Sequence, residues 1–576
     1  MKTDKQLESI ITDILKLNSI DEKNVLKIFR KYPKNNKGLY KKSDVLIYYK
    51  HLKSNKLIQL DELEEEKLFD ALKLKKTRTI SGVTPVTVLT KPFPCPGQCI
   101  FCPNDVRMPK SYLADEPGAQ RAFKNKFDPY QQTYNRLVAY NQIGHPTDKI
   151  ELIVLGGTFT AYPLNYQIWF IKRCFDAMND FSKENSLNTI DINAEIPYDK
   201  NKIESLSEKN LSYNKIVSLA LNSTKNETAT FEELEKAQKI NETAESRCIG
   251  LVLETRPDEI TKETVTTMRH LGATKIQLGI QSLDDEILQA NKRGHTVDDN
   301  AKAFALLRRA GFKIHIHWMP NLYKSTPEKD IEDYKKLFND DRFKPDEIKV
   351  YPCSLIESAE LMKYYKKGLW KPYTNGELIK VLTEVFKATP EYCRITRVIR
   401  DISSDDIVVG NKKTNFRQIV EKSLKAQGIQ PVEIRSREIR NKQVNKKDLQ
   451  LKITTYSTTV STEYFLQFVT KENKIAGFLR LSLPKRISKT SHFIKELTNC
   501  AIIREVHVYG PSIEIGEHKT GKAQHLGLGT QLINKATEIA KENDFKKLAV
   551  ISSIGTRKYY EKFGFKLENL YQIVNL

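Results

Sequence analysis

The stretch Lys-Pro-Phe-Pro-Cys-Pro-Gly-Gln-Cys-Ile-Phe-Cys-Pro occupies residues 91–103 and decides how the rest of the chain is interpreted. Its cysteines, Cys95, Cys99 and Cys102, have the spacing Cys-x-x-x-Cys-x-x-Cys. Three thiolates on one short loop can hold three irons of a 4Fe-4S cluster, which leaves the fourth iron open for a small ligand. A structural zinc site is the alternative, although zinc usually takes four ligands in two separated pairs. A disulfide is disfavoured because three cysteines are an odd number.

An open iron is the arrangement that radical S-adenosylmethionine enzymes use, because the methionine amine and carboxylate chelate it. A ferredoxin-type electron carrier would supply four cysteines for each cluster. The triplet therefore predicts chemistry on S-adenosylmethionine. A β-branched strand within residues 76–90 runs directly into the cysteine loop. That is where a parallel α/β barrel places its chemistry, at the C-terminal ends of the strands.

Five further short apolar runs predict strands of the same kind, at residues 149–155, 249–254, 275–280, 313–318 and 347–350. Helical periodicity lies between the later strands, at residues 262–271, 297–310 and 329–339. This alternation predicts an α/β fold with a partial parallel (β/α) barrel. Gly156 and Gly157 follow the first of these runs, where glycine lets the backbone approach a ligand closely.

Composition limits the remaining possibilities. The 576 residues predict two to four domains, and the formal net charge of +22 favours a polyanionic partner such as nucleic acid. A merely lysine-rich, solvated surface is the alternative. No apolar run of 18 residues or more predicts a membrane span, and residues 1–8 lack the apolar region of a signal peptide. Sparse cysteines are typical of a reduced, cytoplasmic protein.

We divide the chain as follows. Residues 1–75 predict a helical domain with a basic surface that binds tRNA, or else a solvated cap on the next domain. Residues 76–390 hold the radical chemistry, interrupted at 182–245 by a polar, low-complexity insertion that we expect to carry no chemistry. Residues 391–447 are predicted to be a basic linker that holds phosphates or simply connects domains. Residues 448–576 form the last unit.

The last unit has a different order of elements. Predicted strands form an antiparallel meander, followed by a loop, a helix, a strand and a helix. The loop contains Gln524, Gly527 and Gly529 at a helix start, where backbone N–H groups favour an anion. The order resembles the Gcn5-related N-acetyltransferase fold, whose Gln/Arg-x-x-Gly-x-Gly/Ala loop binds the pyrophosphate of acetyl-CoA. An ordinary strand-to-helix turn is the alternative.

Four further motifs narrow the comparison. They are Gly-Gly-Thr-Phe at 156–159, Glu-Thr-Arg-Pro-Asp at 254–258, Asn-Lys-Arg-Gly-His-Thr at 291–296 and Arg-Glu-Val-His-Val-Tyr-Gly at 504–510. With the cysteine triplet and the acetyltransferase unit on one chain, the sequence closely resembles the catalytic subunit of Elongator. That family comprises tRNA uridine acetyltransferases of eukaryotes, archaea and some bacteria. The resemblance runs from about Lys76 to the C-terminus, apart from the insertion.

The resemblance implies three cofactors: a 4Fe-4S cluster on the three cysteines, S-adenosylmethionine on its open iron near Gly156 and Gly157, and acetyl-CoA held between the two domains. The cysteines and Tyr560 are the implied catalytic residues. The implied acetyl-CoA contacts are Lys149, Glu505, Val506, His507, Val508, Gln524, Gly527, Leu528, Gly529, Thr530 and Tyr560. The loop from Lys76 resembles the family segment that covers the acetyl-CoA site until tRNA arrives.

We expect a 5′-deoxyadenosyl radical to activate the acetyl methyl group, which then adds to carbon 5 of the wobble uridine and becomes a carboxymethyl group. The anticodon region of tRNA is the expected partner, because its bases can be splayed out and stacked. Other Elongator subunits would join it in a eukaryote. Two alternatives remain: a histone-type lysine acetyltransferase with a structural iron–sulfur domain, and a noncatalytic tRNA-binding scaffold.

Overall fold

The computed structural model describes residues 4–34, 38–74, 82–184, 186–209, 211–221, 226–440, 444–485, 492–509 and 527–576. Two seven-stranded sheets and an N-terminal group of helices organise these residues. Within the described ranges, no helix combines the length and the apolar character that crossing a membrane requires.

The strands of the described ranges are β1 Thr84–Leu89, β2 Lys149–Leu155, β3 Arg247–Thr255, β4 Lys275–Gln281, β5 Lys313–Trp318, β6 Glu347–Val350, β7 Leu355–Ile356, β8 Arg394–Arg397, β9 Ile407–Val409, β10 Gln450–Ser457, β11 Ser461–Val469, β12 Ile475–Pro484, β13 Cys500–Val508, β14 Lys547–Val550, β15 Lys566–Glu568 and β16 Tyr571–Asn575.

The helices of the same ranges are α1 Lys5–Leu15, α2 Glu22–Lys31, α3 Lys42–Ser54, α4 Glu62–Leu72, α5 Pro117–Lys124, α6 Pro129–Gln142, α7 Leu164–Asp180, α8 Lys200–Ser207, α9 Tyr213–Ala220, α10 Phe231–Asn241, α11 Lys262–His270, α12 Asp285–Ala290, α13 Val297–Arg309, α14 Pro327–Asn339, α15 Leu361–Lys366, α16 Asn375–Ala388, α17 Phe416–Ala426, α18 Ile434–Arg437, α19 Leu528–Glu542 and α20 Arg557–Glu561.

Helices α1–α4 form an N-terminal unit with an apolar core of its own. The first helix begins after Asp4, whose carboxylate accepts the Gln6 and Leu7 N–H groups and so satisfies donors that a helix start leaves free. The unit contacts the next domain through Lys50, whose ammonium group donates to the Asn141 carbonyl at 2.6 Å. The helical character predicted for residues 1–75 is present, and its tRNA-binding role stays a prediction.

The first sheet has the order β1-β2-β3-β4-β5-β6-β8, and every pairing is parallel. This confirms the predicted partial (β/α) barrel. The apolar runs at 149–155, 313–318 and 347–350 have the same bounds as β2, β5 and β6. Each of these strands is buried, so a short apolar run without helical periodicity was sufficient to locate it.

The basic linker predicted for residues 391–447 is wrong in its first part. Arg394–Arg397 forms β8, the last strand of the barrel, paired with β6. Ile395 is fully buried, whereas Arg397 is exposed, so the alternating pattern belongs to an edge strand and not to a connector. The helix α17 that follows is packed in the main apolar core through Phe416 and Val420.

The insertion at 182–245 also differs from the prediction. It contains α8, α9 and α10, of which only the last, predicted at 231–240, was anticipated. Ile203 and Ile216 of the first two helices are buried in an apolar cluster with Leu89 and Met108, which flank the cysteine loop. A polar composition therefore concealed a pair of helices that pack beside the predicted chemistry.

The second sheet has the order β10-β11-β12-β13-β14-β16-β15. Its first four strands pair antiparallel, and β13 then pairs with β14 in parallel. This confirms the predicted Gcn5-related acetyltransferase fold, to which β15 and β16 add a C-terminal hairpin. Strand β13 pairs with β14 only from Cys500 to Ile503, which lies opposite Val550. Beyond this point β13 continues to Val508, paired with β12. We call residues 505–508 the β13 arm, and we call the fork the place where the β13–β14 pairing ends.

Buried charges join the two sheets. Both guanidinium nitrogens of Arg504, on β13, donate to the Asp346 carboxylate just before β6, at 2.8 and 2.6 Å. The Nε atom of Arg504 donates to Glu463 of β11 at 3.0 Å. All three side chains are almost fully buried. Because a buried charge without a partner is very costly, this contact holds the acetyltransferase sheet against the barrel.

We predict that Arg504→Ala lowers the free energy of unfolding by about 3–5 kcal/mol, because it removes the closest cation from the buried Asp346 and Glu463 carboxylates. Their other cations, Arg480 and Arg308, lie farther away, at 3.3 and 3.6 Å. Urea denaturation followed by circular dichroism measures this change. Lys535→Ala is the matched control, since it removes an exposed pair with Glu538 and should cost no more than about 1 kcal/mol. Equal stability of the two variants would contradict this account of the interface.

Candidate functional site

The cysteine loop leaves the C-terminal end of β1, and its three thiols are free. Each thiol has a polar neighbour from a different part of the chain. The Cys102 sulfur lies 2.9 Å from the Ser111 hydroxyl. The Cys95 sulfur lies 3.7 Å from the hydroxyl of Thr158, directly after the Gly-Gly pair. The third thiol, Cys99, accepts a hydrogen bond from an arginine. These neighbours orient all three sulfurs around the loop.

The arginine is Arg293, whose Nη1 atom donates to the Cys99 sulfur at 2.8 Å. The adjacent Cys102 thiol and the positive charges of Arg293 and Arg256 hold the pKa of Cys99 well below its usual range, against the effect of burial. Iron binds the thiolate and not the thiol. The two arginines therefore favour the thiolate form of Cys99.

The backbone beside the loop is shaped for close approach. Gly156 has φ +146°, and a Cβ atom there would come within 1.8 Å of the Thr90 hydroxyl oxygen. Gly157 has φ +90°, and a Cβ atom there would lie 3.2 Å from the Lys110 carbonyl oxygen. Side chains are excluded at both positions, so the end of β2 can lie directly against the cysteine loop. The structure thus brings Gly156 and Gly157 to the predicted cluster site.

The three cysteines fit an iron–sulfur cluster in the kind of ligand that they supply. An iron–sulfur cluster takes cysteine thiolates as its ligands, and three of them leave one iron of a four-iron cluster open. Within the ranges that the structure describes, no three His, Cys, Asp or Glu side chains are grouped as a single bound metal ion would need.

A cavity opens beside Cys102. Its inner wall includes Ser111, Tyr112, Glu254 and Lys349 from the barrel interior. Burial raises the pKa of Glu254 and lowers that of Lys349 to about 8. The cavity therefore places one acid and one amine near the sulfur, both outside their ordinary titration ranges, as is common in functional sites.

The outer wall of the same cavity is basic. It is lined by Arg397, Arg400, Lys412 and Lys413. The two lysines are exposed, and Arg400 pairs with Glu116 at 2.8 Å. A basic mouth over a deeper polar wall suits a polyanion whose phosphates stay outside while one base enters.

The interior of the barrel below this cavity is filled with polar side chains. Lys275, at the start of β4, donates to Glu151 at 2.6 Å and to Glu347 at 3.1 Å. His317 lines the cavity, with its Nε2 atom 3.0 Å from the Gln277 amide oxygen. Because successive residues of a strand alternate sides, the polar residues of neighbouring strands line one continuous interior.

The predicted acetyl-CoA residues on β13 lie at the other end of this interior. Glu505 pairs with Lys313 of the barrel and accepts from Arg480 at 2.9 Å. Burial acts to raise its pKa, but these two cations prevail and lower it to about 2. His507 is half-buried and stacks on the Phe478 ring, with 5.7 Å between ring centroids, and burial of its ring lowers its pKa to about 4. The Glu505 side chain is thus occupied by ion pairs, whereas the His507 Nε2 atom has no hydrogen-bond partner among the described residues.

The backbone of the β13 arm, unlike the Glu505 side chain, lies at a strand edge. Beyond Ile503, β13 pairs with β12 on one side, and its described pairing with β14 has ended. The predicted residues Val506 and Val508 belong to this arm of the fork. A strand edge of this kind presents backbone N–H and C=O groups to an extended ligand. The pantetheine arm of acetyl-CoA has matching amides.

The predicted cradle residues surround the start of α19. Gly527 caps this helix with φ +66°, Leu528 is buried beneath it, and Thr530 is in its first turn. At Gly529 a Cβ atom would lie 2.6 Å from the Tyr559 hydroxyl oxygen and 3.9 Å from Val508. The helix start, the β13 arm and α20 therefore meet at this glycine. Gln524 lies outside the described residues, as does most of the loop that begins at Lys76.

Tyr560 and Lys149 complete the predicted set. Tyr560 is buried in α20 against Phe565, and burial, with the neighbouring Tyr559 and the charge of Glu505, raises its pKa. Lys149 begins β2 beside Arg247. The acetyltransferase loop reaches the same strand ends, because the Ser553 hydroxyl donates to the Cys248 carbonyl at 2.8 Å.

The candidate residues thus form two groups. The cysteines, Gly156 and Gly157 are at the C-terminal end of the barrel, whereas Lys149 and the β13 arm are at the N-terminal end. Gly156 lies seven residues along the chain from Lys149, at the other end of the strand, which corresponds to about 20 Å. Sequence reasoning assigned no role to Arg256 or Arg293, although both lie within quoted motifs.

The chain matches known families over most of its length. Residues 228–337 match the Radical SAM superfamily, residues 345–426 the Radical SAM C-terminal domain, and residues 433–565 the Acetyltransferase (GNAT) family. The first match begins after the cysteine loop, but the loop directly follows β1, a strand of the same sheet as the matched strands.

Individual relatives cover nearly the whole chain. The tRNA uridine(34) acetyltransferase of Methanocaldococcus infernus is 37% identical over 551 residues, covering 92% of this chain and 93% of the relative. Elongator complex protein 3 of Homo sapiens is 30% identical over 523 residues, covering 88% and 86%.

A solved structure agrees with these relatives. The structure of archaeal Methanocaldococcus infernus Elp3 with an N-terminal deletion has a TM-score of 0.67 and 34% identity. The match covers 86% of this chain and all of that one. Fold, sequence and the paired sites agree, and the chain therefore belongs to the family of tRNA uridine(34) acetyltransferases and Elongator complex protein 3.

Proposed function

We propose that this protein uses acetyl-CoA and S-adenosylmethionine to place a carboxymethyl group on carbon 5 of the wobble uridine of tRNA. The observation that carries the proposal is the union, on one chain, of a cysteine loop at one end of a parallel barrel and an acetyltransferase fork at the other. Relatives with nearly full coverage are named tRNA uridine(34) acetyltransferases. Both halves are needed, because carbon 5 of uracil is a poor acceptor for ordinary acyl transfer.

We assign the cluster to Cys95, Cys99 and Cys102. When bound, the cluster and S-adenosylmethionine would supply a 5′-deoxyadenosyl radical, a species able to remove a hydrogen atom from the acetyl methyl group. The hydrogen bond from Arg293 to the Cys99 sulfur stabilises the thiolate form. Gly156 and Gly157 bring the end of β2 against the loop, where we place S-adenosylmethionine. The cavity next to Cys102 then receives the uridine.

The residues of this cavity have separate tasks in the proposal. The exposed cations at its mouth, Lys412 and Lys413, bind the anticodon phosphates. Burial raises the pKa of the Glu254 carboxyl and lowers that of the Lys349 amine to about 8, and we assign these two groups the proton transfers beside the base. The cavity is also lined by apolar side chains, among them Phe101, Met319 and Ile399, which would exclude water from a reactive carbon centre.

The acetyl-CoA site is assigned to the fork. The β13 arm at 505–508 pairs with the pantetheine amides, and the start of α19 faces the pyrophosphate. Tyr560 donates a hydrogen bond to the thioester oxygen, because its raised pKa keeps the phenol protonated. Lys149 supplies a positive charge from the barrel side.

The alternative of a protein lysine acetyltransferase is not favoured. It would leave the cysteine loop, the glycine pair and the basic cavity without a task, and its radical domain would be structural only. The family relatives covering both halves are named for tRNA or for Elongator, not for histones. The scaffold alternative leaves the acetyltransferase fork equally unexplained.

We predict that Cys99→Ser abolishes carboxymethyluridine formation, because an alcohol replaces a thiolate ligand of the cluster. Anaerobically reconstituted protein is incubated with both cosubstrates, a reductant and tRNA, and tRNA nucleosides are analysed by mass spectrometry. Iron content should fall in parallel.

Cys174→Ala is the matched control, since Cys174 is a buried thiol in α7 away from the loop. It should retain both iron and product. Undiminished carboxymethylation by Cys99→Ser would exclude the assigned cluster role.

We also predict that tRNA strongly stimulates hydrolysis of acetyl-CoA, and that Tyr560→Phe lowers the stimulated rate by about a hundredfold, as loss of one preorganised donor does. Release of free CoA thiol measures the rate. Tyr464→Phe on β11 is the control, because the described structure gives its hydroxyl no hydrogen bond. Equal rates for the two variants would remove Tyr560 from the site, and absence of tRNA stimulation would favour the lysine alternative.

A further inference from the structure

The insertion between β2 and β3 contacts the cysteine loop directly. Asn214, in the first turn of α9, uses both ends of its amide on one residue. Its Oδ1 atom accepts the Cys95 N–H at 3.0 Å, and its Nδ2 atom donates to the Cys95 carbonyl at 2.8 Å. The two residues are 119 positions apart. A side chain that satisfies both backbone groups of a single residue holds that residue in one orientation.

Two further contacts tie the same insertion to the same loop. The buried Tyr213 hydroxyl donates to the Met108 carbonyl at 2.8 Å. Glu227 forms an ion pair with Lys91, the first residue of the cysteine stretch. Lys91 is only 4% exposed. The insertion therefore contacts the loop at three points: before the cysteines, at Cys95, and after the cysteines.

An apolar cluster supports these contacts. Ile216 and Ala220 of α9 are buried in one cluster with Ile203 of α8 and with Met108 and Leu89 beside the loop. Because this cluster fixes the helix, the Asn214 amide does not have to be ordered when the loop binds its cofactor. The entropic cost of orienting Cys95 has already been met in the folded protein.

We propose that Asn214 is a positioning residue for the cluster, acting through Cys95, and that the insertion at 182–245 is a clamp on the cysteine loop. Cys95 is the thiol in greatest need of such support, because it is partly exposed whereas Cys99 and Cys102 are buried. The inference rests on the assignment of the cluster to these cysteines. It adds a role for residues that the sequence marks only as a polar insertion.

The first test uses metal-free protein. Asn214→Ala removes the acceptor of the Cys95 N–H, so hydrogen–deuterium exchange of that amide should become about fivefold faster, the effect of one lost hydrogen bond. Asn201→Ala, on the exposed face of α8, is the matched control and should leave the exchange unchanged. This exchange measurement does not depend on the cluster. The iron content of the unmodified protein tests the cluster assignment separately.

The second test uses the reconstituted protein. Asn214→Ala should release iron to a chelator about fivefold faster or more than the unmodified protein does. The change that S-adenosylmethionine causes in the electron paramagnetic resonance signal of the reduced cluster should also differ between this variant and the unmodified protein. Asn214→Asp still accepts the Cys95 N–H but no longer donates to its carbonyl. It should keep the amide protected while iron release is intermediate. If both Asn214 variants match Asn201→Ala in exchange, iron release and spectrum, the proposal is wrong.

Discussion

A buried ion pair between two sheets is the contact on which the architecture depends. The Arg504 guanidinium spans the boundary from β13 to the Asp346 carboxylate of the barrel, and neither group has access to water. Buried charges of this kind add little net stability, but separating them is costly. The pair therefore specifies a geometry: it fixes the acetyltransferase fork against the N-terminal ends of the barrel strands. Lys313 and Glu505 continue the same charged contact at the next strand position.

This geometry separates the two sites that the proposed reaction must use. The cysteine loop is at the far end of the barrel, about 20 Å away along the strands. The interior between the two ends is occupied by paired polar side chains such as Lys275 and Glu347. A reaction that uses both ends requires the acetyl group to reach the cavity beside Cys102. The cavity opens instead toward the basic mouth, from which tRNA approaches in our proposal.

The sequence predicted what depends on local pattern. Buried parallel strands such as β2 and β5 are short apolar runs, and their bounds could be read directly. The Arg394–Arg397 strand was missed because an edge strand with alternating arginines has the composition of a basic linker. The contact of Asn214 with Cys95 could not be predicted, because no local pattern reports which distant residue an amide will meet. The helices α8 and α9 were missed for a related reason: each is only eight residues long, and their burial depends on the loop they cover.

The central claim is that the two ends of the barrel serve one reaction, in which the acetyl methyl group gives up hydrogen and joins uridine. Acetyl-CoA with a fully deuterated methyl group tests this directly in an anaerobic reaction with tRNA, S-adenosylmethionine and a reductant. We expect 5′-deoxyadenosine that carries one deuterium and carboxymethyluridine that retains two. Unlabelled 5′-deoxyadenosine, or a fully deuterated acetyl group found on lysine with no modified uridine, would contradict the account.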